Sequence, residues 1–177
     1  QRIDQMVSYQ RQRAAVAGTS NVTRPIFLAP LMRRLCASLD KVHHDRGIHC
    51  SRRLPAEISL RADEGDLFEL FGNLLENAYR HCRGQVRISA RMRGDQLRVD
   101  VEDDGDGIAA EDATRLLRRG ERADQRHPGE GIGLAVVCEI VTQYGGTLNL
   151  SDSDLGGADV QLLLPPGRSP LHPGQTP

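Results

Sequence analysis

Three clusters of residues in this chain could carry chemistry. Asn73, Asn77 and Arg80 stand at i, i+4 and i+7, a spacing that puts side chains on one face of a helix. An Asn carbonyl is a hard oxygen ligand suited to Mg²⁺, which keeps waters and takes one or two protein ligands beside phosphate oxygens. Arg80 can hold a phosphate by charge-assisted bonds. Taken alone, the same residues suit an ordinary solvated helix face better than a ligand site. The second cluster is Asp103-Asp104-Gly105-Asp106-Gly107-Ile108. Its alternate glycines let the backbone turn tightly and bring a flat ligand against the main chain. The Asp103 carboxylate can then accept from an exocyclic amine such as adenine N6. A Ca²⁺ loop is the rival, but the spaced ligands and closing Glu of an EF-hand are missing. The third cluster is Gly129-Glu130-Gly131-Ile132-Gly133-Leu134. Glycines ahead of a helix N-terminus offer free N–H groups and the positive dipole end to a phosphate. No Gly-Lys-Ser/Thr occurs and no strand precedes it, so it is neither a P-loop nor a Rossmann turn. Alone, such a glycine pattern is a weak signal.

The elements that must position these clusters follow from periodicity. Ile3, Met6, Val7 and Gln10 predict a helix over 1–17, ended by Gly18; 19–25 reads as a loop. Leu31, Leu35, Leu39 and Val42 predict a helix from Pro30, stopped by Gly47. Short strands are expected at 48–53 and 58–61. Asp66 is the expected cap of the next helix, which runs to about Cys82. Its apolar face is Leu67, Phe71, Leu74, Leu75 and Ala78; its polar face is Asp66, Glu69, Asn73, Glu76, Asn77 and Arg80. Segments 85–93 and 96–103 alternate and meet at Gly94-Asp95, a hairpin signal. From 105 to 131 the chain reads as loop with one short helix at 111–117. An apolar helix over 132–144 is stopped by Gly145-Gly146. Strands at 147–151 and 158–164 join around Gly156-Gly157, and the Pro-rich tail from Pro165 is expected to be disordered. Strand pairs without crossover helices exclude a doubly wound fold. The order argues an α/β two-layer sandwich, a mixed, mostly antiparallel sheet with helices on one face.

Composition narrows the function. At 177 residues the chain is one domain's worth. Lys plus Arg number 23 and Asp plus Glu 24, a net charge of −1, so no nucleic-acid partner is expected. Aromatics are 3% with no Trp, which argues against stacking platforms. No apolar run approaches the ~20 residues of a bilayer crossing. The four cysteines show no CxxC spacing and read as reduced thiols of a cytosolic fold. A chain opening on Gln1 is expected to be a piece of a longer protein, with any anchor upstream.

In order and together, the clusters resemble a known set. Asn73-Leu74-Leu75-Glu76-Asn77-Ala78 resembles the N box of the GHKL superfamily of ATP-binding domains. Asp103-Asp104-Gly105-Asp106-Gly107 resembles its G1 box, and Gly129-Glu130-Gly131-Ile132-Gly133-Leu134 its G2 box. The stretches LFELFGNLLENAYRHC, VEDDGDGI, RGERAD and PGEGIGLAVVCEI resemble the catalytic domain of PhoQ-type sensor histidine kinases, over residues 1–165.

That resemblance implies a Bergerat-type fold with ATP between the helix layer and a lid over about 109–128. Asp103 would bind adenine N6, and Asn73 and Asn77 would hold Mg²⁺ and phosphates. Glu130 stands where the family has a Gln that also reaches Mg²⁺; a carboxylate ligates as well but repels phosphate. Arg80-His81 replaces a frequent Lys-Tyr: Arg80 keeps the charge, and His81 would stack less extensively on adenine. A lid Arg falls at His127, with Arg126 beside it, and Arg122 matches another. Asn77, Arg80 and Arg122 are the expected catalytic residues. Gly105, Gly107, Ile108, Gly129, Gly131, Ile132, Gly133 and Leu134 complete the expected nucleotide contacts.

The implied activity is transfer of the ATP γ-phosphoryl to a His on a dimerisation domain, then to a response regulator. The implied setting is the cytoplasmic domain of a homodimeric inner-membrane sensor, this piece alone being monomeric. No acceptor is expected here: of His43, His44, His49, His81, His127 and His172, only His44 precedes an acid, and no Thr-Pro follows it. Residues 1–17 would be the end of the second helix of the acceptor hairpin, 18–165 the ATP-binding domain, and 166–177 the tail. Two rivals remain. A GHKL ATPase would carry a Glu base four residues before its Mg²⁺-ligating Asn, where this chain has Asn73, and Glu69 lies a turn too early. A nucleotide-binding switch would move its lid without transfer.

Overall fold

The computed structural model describes residues 24–108 and 132–165. The helix expected over 1–17, the short helix at 111–117, the lid and the tail from 166 lie outside the described residues.

Among the described residues, seven strands and three α-helices build two layers. The chain begins with β1 (Arg24–Phe27) and α1 (Leu28–Val42), then a 3₁₀ turn at His44–Arg46. Helix α1 starts two residues before Pro30, which sits in the first turn, where no N–H partner is needed. It ends before Gly47; that glycine instead closes the 3₁₀ turn in the left-handed region at φ 61°. β2 (His49–Arg53) and β3 (Ser59–Ala62) lead into α2 (Glu64–His81). The cap of α2 is Asp63 rather than Asp66: its carboxylate accepts from the N–H of Gly65 at 2.8 Å and of Asp66 at 3.1 Å. Asp66 is inside the helix and buried, accepting a 2.8 Å bond from the Tyr144 hydroxyl. β4 (Gln85–Arg93) and β5 (Gln96–Asp103) form the expected hairpin, with Gly94 at φ 63°. α3 (Ile132–Gln143), β6 (Thr147–Asp152) and β7 (Ala158–Leu164) complete the fold.

The main sheet has the order β2-β4-β5-β7-β6. β2 is parallel to β4, across a connection through β3 and α2, and every other pairing is antiparallel. β5 is the central strand, so its last residue, Asp103, is delivered by the best-supported element. β1 and β3 form a separate two-stranded antiparallel sheet. This corrects the loop expected through Pro25: Arg24 and Pro25 pair with Ala62 and Arg61.

The two faces of the main sheet differ in chemistry. Val86, Ile88, Ala90, Leu97, Val99, Val101, Val160, Leu162 and Leu164 are buried in one cluster with Leu67, Leu70, Phe71, Leu74 and Leu75 of α2 and Val137, Ile140 and Val141 of α3. The alternate positions carry charge. Arg87 holds Glu102 bidentately at 2.7 and 2.5 Å, and Arg98 and Arg91 hold Asp100 at 2.7 and 3.2 Å. No helix among the described residues is long and apolar enough to cross a membrane.

Candidate functional site

The described parts of the second and third clusters each approach α2, and glycines allow it. A Cβ on Gly133, in the first turn of α3, would lie 3.1 Å from Asn73 Oδ1. A Cβ on Gly105 would lie 2.5 Å from the His81 carbonyl oxygen at the end of α2. A Cβ on Gly157, in the β6–β7 turn, would lie 2.3 Å from Asp103 Oδ1 and 2.4 Å from the Gly105 nitrogen. Gly107 takes φ 75°, a left-handed turn that side chains disfavour.

Asp103 is 6% exposed. Its Oδ1 accepts from the N–H of Gly105 at 2.8 Å and of Ala158 at 3.2 Å. Its Oδ2 has no hydrogen bond among the described residues. Neutral donors thus fix the carboxylate without cancelling its charge, and one oxygen remains to accept from a ligand.

The neighbouring Asp104 works differently. Its Oδ1 accepts three backbone N–H groups, from Arg83, Gly84 and Gln85, at 2.8, 3.0 and 3.0 Å. Burial pushes this carboxyl up, but the three donors outweigh it and hold the group below the usual carboxylate range. Asp104 therefore ties the turn after α2 to the second cluster. Sequence reasoning missed this, though a doubled Asp at a strand end was the available signal.

Along α2, Asn73 is half-buried and donates its Nδ2 to the Glu69 carbonyl at 2.8 Å. That leaves Oδ1 on the side of Gly133. Asn77, Arg80 and His81 are exposed, and Arg80 pairs with Glu76 at 3.2 Å. The end of the helix is held by a residue the sequence did not mark. Arg46 donates to the carbonyls of Tyr79 at 2.5 Å, Arg80 at 3.3 Å and Cys82 at 2.5 Å, satisfying acceptors a helix C-terminus leaves open. The start of α2 is held by Tyr144, whose hydroxyl accepts from the Asp63 N–H at 3.0 Å while donating to Asp66. Helix α3 is thereby pinned to α2 at its far end, and its glycine-led first turn lies beside Asn73.

Ile108 is half-buried at the edge of the second cluster, and Leu134 packs against the core from α3. Ile132 opens α3. Arg122, Arg126, His127, Gly129, Glu130 and Gly131 lie outside the described residues.

The donor set suits a hydrated divalent ion. Two amide oxygens stand one turn apart beside a glycine whose Cβ would crowd Asn73. Among the described residues no group of three His, Cys, Asp or Glu could hold a metal alone. Such a site fits an ion that brings its own waters and phosphate oxygens.

Residues 62–168 match the family described as histidine kinase-, DNA gyrase B- and HSP90-like ATPase. The chain is 48% identical over 158 residues to the two-component sensor PhoQ of Pseudomonas aeruginosa, covering 89% of this chain and 35% of that protein. It is 40% identical over 178 aligned positions to the virulence sensor histidine kinase PhoQ of Salmonella typhimurium, covering 98% of this chain and 35% of that protein. The chain thus spans about a third of the length of these curated relatives. The fold is shared with the catalytic domain of histidine kinase ThkA, at TM-score 0.71 and 19% identity, over 81% of this chain and 95% of that one. The expected two-layer sandwich and the resemblance to PhoQ-type sensor kinases are both borne out. The chain belongs to the family of histidine kinase-, DNA gyrase B- and HSP90-like ATPase domains.

Proposed function

We propose that this chain is the ATP-binding catalytic module of a sensor histidine kinase, and that the region bounded by Asn73, Asp103 and Gly133 is where the nucleotide sits. The observation that carries the reading is the Asp103 carboxylate, with Oδ1 held by two backbone N–H groups and Oδ2 left without a hydrogen bond among the described residues. That oxygen accepts the adenine N6 amine. Gly105 and Gly107 let the base lie against the main chain, with Ile108 and the exposed His81 at its edges. Asn73 and Asn77 would hold Mg²⁺, whose contribution when bound is to neutralise phosphate charge. Arg80 adds a cation from α2, and Arg122, with Arg126 and His127, supplies the lid's share. Gly129, Glu130 and Gly131 lead into the α3 N-terminus, where Ile132, Gly133 and Leu134 begin a helix whose free N–H groups suit phosphate. Glu130, which lies outside the described residues, would be an added ligand for the metal.

Phosphoryl transfer needs positioning and charge neutralisation more than covalent help from the protein. The residues above supply both and leave the nucleophile to come from elsewhere. Asn73 occupies the place where hydrolysing relatives carry a base, and an amide cannot take a proton from water. A neutral imidazole needs no such base. The acceptor in this proposal is a His on a dimerisation domain of the full-length, homodimeric, membrane-anchored protein, which passes the group to an Asp of a response regulator.

The test is incubation of the chain with γ-labelled ATP, with and without a separately produced acceptor hairpin. The hairpin becomes labelled on His while the chain stays unlabelled. Rapid phosphate release by the chain alone would contradict the reading and favour an ATPase.

A further inference from the structure

Cys36 and Cys50 are 14 positions apart and lie on different elements, yet their Sγ atoms are 3.7 Å apart. Cys36 is fully buried on α1, while Cys50 is half-buried on β2, the edge strand of the main sheet. We propose that this pair is a thiol modification site that hydroperoxides convert to an intradomain disulfide linking α1 to β2.

The geometry asks little of the fold. Closing 3.7 Å to the ~2 Å of a disulfide is a movement within reach of side-chain rotation at the half-exposed strand position. Access and activation are divided between the two thiols. Cys50 meets solvent from the sheet edge. Arg52, two positions along the same strand and on the same face, interacts with both sulfurs. The surroundings are Arg52, the Tyr79 hydroxyl and Asp40, and Tyr79 donates to Asp40 at 2.7 Å. The Cys36 thiol, acting as donor, draws the Cys50 thiol below its usual range, with Arg52 helping against the opposing effects of burial and of Asp40. Cys36 is pushed up, first by its bond to Cys50 and then by burial. An electropositive, partly exposed thiolate beside a second thiol is the arrangement of redox-active cysteines.

The chemistry balances. The Cys50 thiolate attacks one peroxide oxygen, the O–O bond breaks, and the alkoxide or hydroxide takes a proton and leaves as alcohol or water. Cys50 is then a sulfenic acid. The Cys36 sulfur attacks the Cys50 sulfur, the S–O bond breaks, and the oxygen leaves as water with the Cys36 proton. Two thiols are oxidised by two electrons and one hydroperoxide is reduced.

The molecule carries its own controls. Cys82 is buried and donates to the Tyr79 carbonyl at 3.4 Å, and Cys138 is half-buried with its thiol raised by burial. Neither has a sulfur partner among the described residues. The pair also backs the functional helix: Tyr79, which lies against Cys50, precedes Arg80 on α2.

The test is stoichiometric hydrogen peroxide on the fully reduced chain, followed by thiol counting and peptide mapping under denaturing, alkylating conditions. The expected result is a fall from four free thiols to two, a mass lower by two hydrogens, and one linked peptide pair joining Cys36 to Cys50. Cys50→Ser, a near-isosteric change at a half-buried edge position, should abolish the loss while melting close to the parent. Retention of four thiols, accumulation of sulfinic acid on Cys50 with Cys36 still reduced, a bridge through Cys82 or Cys138, or equal thiol loss in Cys50→Ser would each overturn the proposal.

Discussion

Two regions of the same sheet bury acids, and they satisfy them in opposite ways. On the outer face Asp100, Glu102 and Asp159 are 3%, 8% and 8% exposed. Arginines hold the first two, and Ser153 adds a 3.2 Å bond to Glu102. At the end of β5, Asp103 and Asp104 are held by backbone N–H groups alone, two for one and three for the other. Arginine neutralises the acid it holds, and the charge is spent inside the protein. Backbone donors orient a carboxylate and leave its charge in place. The outer face is therefore a cross-braced surface, whereas the strand end holds Asp103 by one oxygen only, and its other oxygen is the acceptor that our proposal assigns to the ligand. The difference lies in the glycines. Only Gly105 and Gly157 let main chain come close enough to Asp103 to replace a cation.

The largest expected effect breaks the strand end directly. Gly157→Ala puts a methyl into contact with Asp103 Oδ1 and the Gly105 nitrogen, neither of which can move without unmaking the turn. A loss of about 3 kcal/mol is expected, at the upper end of overpacking costs. Denaturant unfolding would read it, and a melt like the parent's would refute the claimed crowding.

Next comes the outer face. Arg87→Ala leaves Glu102 mostly buried with only Ser153 to hold it. The side chains of the pair are 20% and 11% exposed, so the cost is about 2 kcal/mol, less than for a wholly buried pair. Because Arg87 first, and then Ser153, hold Glu102 below its usual range, its contribution is complete above the unfolded carboxylate pKa and lost as pH falls through the depressed folded value. The variant should lose its disadvantage in acid. A deficit independent of pH would show that the arginine acts by packing alone.

Asp104→Ala removes one acceptor from three N–H groups that can partly turn to water. About 1 kcal/mol is expected, comparable to losing a helix cap. The sign with pH matches Glu102, since Asp104 is also held low: the difference from parent should fade on acidification.

The smallest effect sharpens the comparison by its opposite sign. Asp159 is held up, first by burial and then by Asp100 and Glu102, and its Oδ1 has no partner among the described residues. The folded state keeps this proton to higher pH than the unfolded chain does. Stability from this group is therefore greatest below the ordinary Asp pKa and declines as pH rises through the raised value. Asp159→Asn should stabilise by about 0.5 kcal/mol near neutral pH and by nothing near pH 3. A gain of equal size at both would contradict the electrostatic cause.

Legibility in the sequence followed the range of the interactions. Strands at 85–93, 96–103 and 158–164 were readable to the residue because alternation is a local signal. The cap of α2 was not, because Asp63 and Asp66 both satisfy the local rule. Tyr144, far along the chain, takes Asp66 into the interior and leaves Asp63 to cap. β1 was hidden for the same reason: its partner β3 is some thirty-five residues away. At the candidate site, Gly105, Gly107 and Gly133 were legible because crowding or a left-handed turn favours glycine there, whereas the ligand roles proposed for Asn73 and Asp103 rest on their residue types. Arg46, the Asp104 clamp and the Cys36–Cys50 pair were not. Each depends on a fold that brings unmarked residues together.

The central claim, that Asp103 reads the ligand while Asp104 holds the scaffold, is tested most directly by calorimetric titration of Mg·ATP analogue into the parent, Asp103→Asn and Asp104→Asn. In Asp103→Asn the amide oxygen can still accept from Gly105 and Ala158, so the fold stands, but the ligand then meets an NH₂ group where it met an acceptor. Losing a charged hydrogen bond of ~1.5–3 kcal/mol predicts roughly ten- to a hundredfold weaker binding, with Asp104→Asn close to the parent. Unchanged affinity in Asp103→Asn, or an equal loss in both, would contradict the account.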